Sequence, residues 1–120
     1  MRKIYHLASC DTCQGILKAI GAAKKGIELQ EIKTDPIKPA ELDAMKELSG
    51  SYEALFSRRA IKYRSMGLGS MELTEDDYRK LILEEYTFLK RPVAIIETRI
   101  FIGNTKEVVG ALQTKLNNLP

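Results

Sequence analysis

The sequence predicts a mixed α/β fold: a small β-sheet with flanking helices, and a block of helices between the two halves of the sheet. Short strand-type segments occur near both ends of the chain, each beside a segment whose apolar residues have helical spacing. A length of 120 residues fits one domain. The hydrophobic fraction of 44% and the charged fraction of 29% are typical of globular proteins, so a core can form without metals or several disulfides.

The first part of the chain is predicted to form a β-α-β unit. Residues 3–7 alternate polar and apolar side chains, which is typical of a strand. Residues 9–12 include amino acids that are favoured at helix starts. The helix is expected over residues 13–26, ending at Lys-Lys-Gly. A second strand is expected over residues 27–33, where Glu31 interrupts the alternation of apolar residues.

The middle of the chain is predicted to be helical. Pro39 suits the first position of a helix over residues 39–48, and a further helix is expected over residues 52–66. Acidic residues at the start of residues 74–86 predict a third helix. The block spans about residues 38–88, which is too long for an ordinary loop, so we expect a packed helical insertion beside the sheet.

The last part is predicted to form a β-β-α unit. Residues 93–96 and 100–102 predict two strands, and Asn104 with Glu107 forms a cap-like pair before the final helix. Without the insertion, β-α-β followed by β-β-α is the element order of the thioredoxin fold. We therefore expect one thioredoxin-like domain over residues 1–120.

Charge and hydropathy argue against two classes of partner. The net charge is only +3, and the dense basic stretch of residues 58–64 suffices for a local anion site but not for a duplex-binding surface. The start of the chain lacks the apolar run of a signal peptide, and no stretch approaches the length of a membrane span. We expect a cytoplasmic protein that contacts neither nucleic acid directly nor membranes.

The two cysteines, Cys10 and Cys13, form a C-x-x-C motif. In a reducing compartment such a pair is more often redox-active than structural. Cys10 lies at the predicted helix start, where free backbone N–H groups and the helix dipole favour a thiolate. Cys13, one turn further on, is more shielded and can attack a mixed disulfide on Cys10.

Two other interpretations of the cysteine pair stay open. Both cysteines could be small buried apolar residues. A zinc site would need carboxylates or a second chain, because C-x-x-C supplies two ligands and His6 is the only histidine. We therefore expect no metal.

Four segments of the chain resemble one family. Residues 5–10 resemble a strand-then-cysteine motif in which a histidine precedes the nucleophile by four residues, and residues 56–59 followed by Tyr63 resemble an arginine-bearing helix. Residues 89–93 resemble a Leu-x-Arg-Pro-Ile/Val segment, and residues 102–108 resemble a final strand and helix. In this order they are similar to the glutaredoxin-linked arsenate reductases of the ArsC/Spx family.

The resemblance implies an oxyanion held near the reactive thiolate. Arg59 and Arg91 would be its anion ligands, since guanidinium groups pair bidentately with oxyanions and keep their charge. His6 would tune the nucleophile, with Thr12 and Pro92 as supporting residues, and the peptide bond before Pro92 would be cis. The alternatives are a solvated helix face for Arg59, a strand-edge charge for Arg91 and a hydrogen-bonded core histidine for His6.

The chain departs from the arsenate reductases at two positions. Their third arginine is absent from the segment Phe101-Ile102-Gly103, and Gln14 stands where they carry an arginine. Cys13, in contrast, is typical of the related Spx regulators, which sense oxidation through C-x-x-C and bind RNA polymerase.

Two functions follow as hypotheses. The first is an arsenate-reductase-like thiol oxidoreductase that attacks a small oxyanion or disulfide through Cys10, with Cys13 as resolving thiol. The second is an Spx-like redox-sensing regulator that binds RNA polymerase. In either case we expect a monomer without a bound cofactor. A thiol donor, glutathione with glutaredoxin or thioredoxin, would supply the electrons.

Overall fold

The structure is a computed structural model that describes residues 1–119, apart from the side chain of residue 23. The chain divides into two compact units. The sheet unit comprises residues 1–36 and the chain from Arg91 onward, and the helical unit comprises Ile37–Lys90. The predicted organisation, one domain over residues 1–120 with an insertion at about 38–88, stays a prediction.

The sheet unit contains four strands, in the spatial order β2-β1-β3-β4. Their bounds are β1 Arg2–His6, β2 Glu28–Glu31, β3 Val93–Ile96 and β4 Arg99–Ile102. β1 is parallel to β2 and antiparallel to β3, and β4 is antiparallel to β3. The α-helices of the described residues are α1 Asp11–Ala19, α2 Pro39–Ser49, α3 Ile61–Ser65, α4 Glu75–Glu84 and α5 Lys106–Asn117. The predicted β-α-β and β-β-α units are confirmed.

The core of the sheet unit lies between one sheet face and the helices α1 and α5. From the strands it takes Ile4, Ala94, Ile96 and Phe101; the helices add Ile16, Leu17, Leu112 and Leu116. Each fully buried aliphatic side chain of this kind contributes about 1.5–3 kcal/mol relative to an exposed one. The helix that begins at the cysteines is therefore fixed to the sheet by its apolar face.

The first helix is shorter than predicted. α1 ends at Ala19, and a separate 3₁₀ turn covers Ala22–Lys25, because Gly21 between them takes the left-handed backbone conformation with φ 66°. Glycine adopts this conformation without a Cβ clash, so the helix can end at this position. The apolar residues keep their helical spacing beyond Gly21, which is why the sequence predicted a longer helix.

The helical unit begins its long helices where the sequence predicted. Pro39 occupies the first position of α2, and the Glu41 carboxylate accepts the N–H of Lys38 at 2.9 Å. α4 has a capping box: Thr74 accepts the N–H of Asp77 at 3.3 Å, and Asp77 accepts the N–H of Thr74 at 2.8 Å. These bonds use helix N–H groups that have no partner inside the helix.

The predicted helix over residues 52–66 is wrong. The segment holds a 3₁₀ turn, then an extended stretch at Phe56 that pairs with Leu89, and only then the short α3. The ring of Phe56 is fully buried and stacks on Phe88 with 5.1 Å between centroids. This tertiary packing outweighs the local helical pattern.

The final helix also starts differently from the prediction. Its N-cap is Thr105, whose hydroxyl accepts the N–H of Val108 at 3.2 Å, and the predicted Asn104–Glu107 pair does not cap it.

Candidate active site

Cys10 is the N-cap of α1, as the sequence predicted. Its backbone is extended (φ −91°, ψ 103°), and its Sγ accepts the N–H of Cys13 at 3.4 Å. The Cys10 N–H donates to the Leu7 carbonyl at 3.0 Å, which closes a tight turn between β1 and α1. The sulfur thus takes the place of the side-chain oxygen that usually satisfies a free N–H at a helix start.

The pKa of the Cys10 thiol is lowered from its ordinary value. Partial burial acts against this and raises the pKa, but stronger combined effects lower it: hydrogen bonds from the Cys13 side chain and backbone, and the charge and hydrogen bond of Arg91. All of these favour the thiolate over the neutral thiol. Cys10 is also partly exposed, so a reagent can reach it.

Cys13 has the opposite character. It is completely buried, and burial raises the pKa of its thiol to about 12, helped by its hydrogen bond to Cys10 and by the charge there. The structure therefore agrees with the expectation that Cys10 is the more exposed and more acidic of the two thiols. Both cysteines are free in this structure.

Arg91 and Pro92 lie directly before β3, and the peptide bond between them is cis, which confirms that prediction. Pro92 is buried, and Arg91 is half-buried, with a guanidinium that lowers the pKa of the Cys10 thiol through its charge and a hydrogen bond. The Pro92 carbonyl accepts the N–H of Gly103 at 2.8 Å. The segment that lacks the third arginine therefore lies next to the Arg91–Pro92 peptide. Gly103 has φ 89°, a conformation that an arginine would adopt only with strain, so Ile102 is the better position for one.

His6 is half-buried at the end of β1, and its partner is Gln14 of α1. The Gln14 Nε2 atom lies 3.2 Å from His6 Nδ1 and donates to the Leu7 carbonyl at 3.0 Å. Gln14 also donates its backbone N–H to the Cys10 carbonyl at 3.0 Å. Sequence reasoning noted Gln14 only as a departure from the family pattern and missed this contact.

Glu31 is a second residue whose role the sequence reasoning missed. Its carboxylate accepts the N–H of Ala8 at 2.7 Å, and those of Lys33 and Thr34 at 2.7 and 2.9 Å. These backbone hydrogen bonds, led by that of Ala8, lower the pKa of Glu31. The carboxylate therefore anchors the loop that carries Cys10. The signal in the sequence was a charged residue at an apolar position of the strand pattern.

The other predicted site residues are placed differently. Thr12 lies in the first turn of α1 and is exposed. Arg59 belongs to the helical unit and is exposed in the turn before α3, so the arginine-bearing helix expected there is absent. Its neighbour Arg58 donates to Glu53 at 2.8 Å and to the Tyr78 hydroxyl at 3.0 Å. The role of Arg59 as an anion ligand stays a prediction.

Residues 1–119 contain no group of three or more histidine, cysteine or carboxylate side chains arranged to hold a metal ion. None of the helices described there combines the length and the apolar character that a membrane crossing requires.

Comparison with known proteins identifies the family. The sequence model of the ArsC family matches residues 5–112, which is most of the chain. This chain belongs to the ArsC family. The match includes the C-x-x-C motif, the helical unit and the Arg91–Pro92 segment, and it confirms the resemblance found in the sequence. A search among curated protein sequences gives no significant match.

Solved structures show that this ArsC-family chain shares its fold with several bacterial proteins. A protein from Bacteroides fragilis described as related to the ArsC family has a TM-score of 0.79 and 24% identity, with 96% of each chain covered. A candidate arsenate reductase from Yersinia pestis has a TM-score of 0.78 and 18% identity, covering 92% of this chain and 99% of that one. An arsenate reductase from Vibrio cholerae has a TM-score of 0.71 and 22% identity, covering 92% and 95%. At these identities the likeness confirms the thioredoxin-like fold.

Proposed function

We propose that the chain is an arsenate-reductase-like thiol oxidoreductase in which Cys10 is the nucleophile and Cys13 the resolving thiol. One observation carries the proposal: two thiols one helical turn apart have opposite character. Cys10 is partly exposed with a lowered pKa, and Cys13 is buried with its pKa raised to about 12. In a two-step thiol–disulfide exchange, one cysteine must be a thiolate that attacks the substrate, and the other must stay protonated until the mixed intermediate has formed.

In the first step, the Cys10 thiolate attacks its substrate. With a disulfide, a bond forms between Cys10 Sγ and one substrate sulfur, and the other sulfur leaves as a thiolate. With arsenate, an S–As bond forms and one arsenate oxygen leaves as water after taking up protons. The guanidinium of Arg91 lies beside the sulfur and suits the negative charge that both substrates bring or release.

In the second step, Cys13 loses its proton and attacks Cys10 Sγ. The Cys10–Cys13 disulfide forms, and the electron pair of the broken bond leaves with the second substrate thiolate or reduces arsenic to arsenite. The hydrogen bond to Cys10 and the charge there help to raise the pKa of Cys13 in the resting protein. The negative charge is lost once the Cys10 sulfur is covalently bound, so the first step removes one of the effects that keep Cys13 protonated. A thiol donor in the cytoplasm, glutathione with glutaredoxin or thioredoxin, then reduces the disulfide.

The missing third arginine sets an expectation for arsenate. Each well-placed guanidinium adds charge-assisted hydrogen bonds of about 1.5–3 kcal/mol. With Ile102 in its place, oxyanion binding is expected to be about one to two powers of ten weaker. We therefore expect the chain to reduce arsenate slowly but to form the Cys10–Cys13 disulfide efficiently and reversibly.

The test combines thiol counting with turnover. Mild peroxide should remove both thiols of the wild-type chain, and dithiothreitol should restore them. Cys13→Ser should instead give mixed disulfides or higher oxidation products at Cys10. Arsenate reduction with each donor is measured beside it, with Cys10→Ser as the inactive control. If Cys13→Ser and wild type give the same products, Cys13 has no part in the mechanism.

An Spx-like regulator is the second candidate, favoured by the second cysteine and by the absence of the third arginine beside Arg91–Pro92. In that case the Cys10–Cys13 disulfide would change the affinity for RNA polymerase. Binding of purified RNA polymerase to the reduced and the oxidised chain separates the candidates. Redox-dependent binding without turnover would favour the regulator, and turnover without binding the enzyme.

A further inference from the structure

The hydrogen bonds of Gln14 assign the tautomer of His6. The two ends of a glutamine amide are easily exchanged, so their assignment must come from their partners. One partner of Gln14 is the Leu7 carbonyl, which can only accept a hydrogen bond. The atom at 3.0 Å from it is therefore the NH₂ nitrogen.

The same NH₂ group lies 3.2 Å from His6 Nδ1. Its first hydrogen is directed to Leu7, and its second is available for His6. Because the nitrogen of an amide only donates, Nδ1 of His6 must accept. An imidazole that accepts at Nδ1 carries its hydrogen on Nε2.

We propose that Gln14 is a positioning residue of the Cys10 loop and that it holds the neutral imidazole of His6 in the Nε2–H tautomer. Two side-chain contacts support the positioning role: the amide donates to the Leu7 carbonyl and lies within hydrogen-bonding distance of His6 Nδ1. The Leu7 carbonyl also accepts the Cys10 N–H, so the amide stabilises the turn that presents the sulfur.

This inference revises the role expected for His6. The resemblance implied that His6 tunes the nucleophile, and the contacts of Gln14 suggest that it does so through the loop, because the effects that lower the pKa of Cys10 come first from Cys13 and then from Arg91. With Nδ1 facing the amide of Gln14, His6 acts in the loop as a hydrogen-bond acceptor. The consequence for Cys10 rests on the proposed function, but the tautomer of His6 does not.

The tautomer can be measured because His6 is the only histidine of the chain. Long-range ¹H–¹⁵N correlation spectra of the reduced, ¹⁵N-labelled protein are recorded well above the ordinary pH range of imidazole titration. Wild type should show hydrogen on Nε2 and none on Nδ1. Hydrogen on Nδ1 would overturn the proposal.

Because the Nε2–H form is also common in free imidazole, variants provide the decisive comparison. In Gln14→Glu the carboxylate can only accept, so the hydrogen of His6 should move to Nδ1. Gln14→Arg restores donors and should restore the Nε2–H form. Gln113→Glu adds the same charge on an exposed position of α5 and should leave the wild-type pattern.

The effect on Cys10 is followed in the same proteins by its rate of alkylation with iodoacetamide, resolved from Cys13 by mass spectrometry. Gln14→Glu should slow alkylation near neutral pH by about threefold or more, because a new anion beside the loop disfavours the thiolate. Gln113→Glu should leave the rate unchanged. If His6 keeps its hydrogen on Nε2 in Gln14→Glu, Gln14 does not set the tautomer. A tautomer switch in a protein without redox turnover would uphold the tautomer assignment and refute the proposed enzyme.

Discussion

Replacing Arg91 by glutamine tests how the structure makes Cys10 acidic. The guanidinium lowers the pKa of the Cys10 thiol through its charge and a hydrogen bond. A hydrogen bond to a charged group contributes about 1.5–3 kcal/mol, and the lower end applies because Cys10 is partly exposed. Since 1.4 kcal/mol is a factor of ten, Arg91→Gln should reduce the thiolate fraction about tenfold below the pKa.

The rate at which Cys10 attacks a disulfide should fall less than the thiolate fraction does, and at high pH the rate should rise instead. A more basic thiolate is a better nucleophile, with a Brønsted coefficient of about 0.4–0.5, which recovers roughly a factor of three. At low pH the variant should therefore attack a disulfide about three- to fourfold more slowly than the parent. At a pH above both thiol pKa values it should be about threefold faster.

The assay follows the reaction of Cys10 with a small chromogenic disulfide from acid to alkaline pH, in a Cys13→Ser background with a single thiol. Arg99→Gln is the matched control, because it removes the same charge from an exposed arginine of β4 that lies 4.8 Å from the Phe101 ring. Its profile should match the parent. The reasoning fails if the profiles of Arg91→Gln and the parent coincide. A constant slowing at every pH would also contradict it, since that indicates lost access and not a changed pKa.

Three further predictions concern the oxyanion site and the carboxylates. Ile102→Arg should raise arsenate reduction about tenfold through one added charge-assisted contact, and unchanged turnover at saturating donor would contradict this. Glu31→Gln should destabilise the fold by about 1 kcal/mol in urea titrations by weakening the bond to the Ala8 N–H. Because the pKa of Glu31 is lowered on folding, this stabilisation is present above the ordinary carboxylate range and lost as the pH falls through the folded value, so the two proteins should converge in acid. Asp43→Asn should lower the Tm above about pH 4, since hydrogen bonds from Arg79, then Tyr52, lower the pKa of Asp43 to about 2; a Tm difference that persists unchanged toward pH 2 would contradict that cause.

The features that the sequence predicted correctly depend on residues close together in the chain. Period-two and helical spacing predict strands and helices, and Cys10 directly before an apolar helical segment predicts a cysteine N-cap. Pro39 and the acidic residues at the start of residues 74–86 likewise predict helix starts from a few adjacent residues. Each of these patterns is local, so a single sequence suffices to interpret it.

Tertiary packing determined the backbone conformation wherever the local sequence pattern conflicts with the packing of the core. Residues 52–66 have helical spacing, but burying the ring of Phe56 against Phe88 requires an extended backbone there, and the helix shrinks to α3. As a result Arg59 lies in a turn and not on a helix. The apolar spacing of α1 also continues past Gly21, whose left-handed conformation ends the helix.

The supporting contacts of the site depend on register, which sequence patterns do not specify. In the parallel pairing of β1 with β2, His6 lies opposite Glu31. This places the Glu31 carboxylate at the loop that follows β1, where it accepts the N–H of Ala8, 23 residues away in sequence. A shift of one residue would turn each side chain of β2 to the other face and remove that contact. The sequence alone thus locates the two cysteines and the helix start that they share, whereas the anchors of their loop exist only once β1, β2 and α1 have packed together.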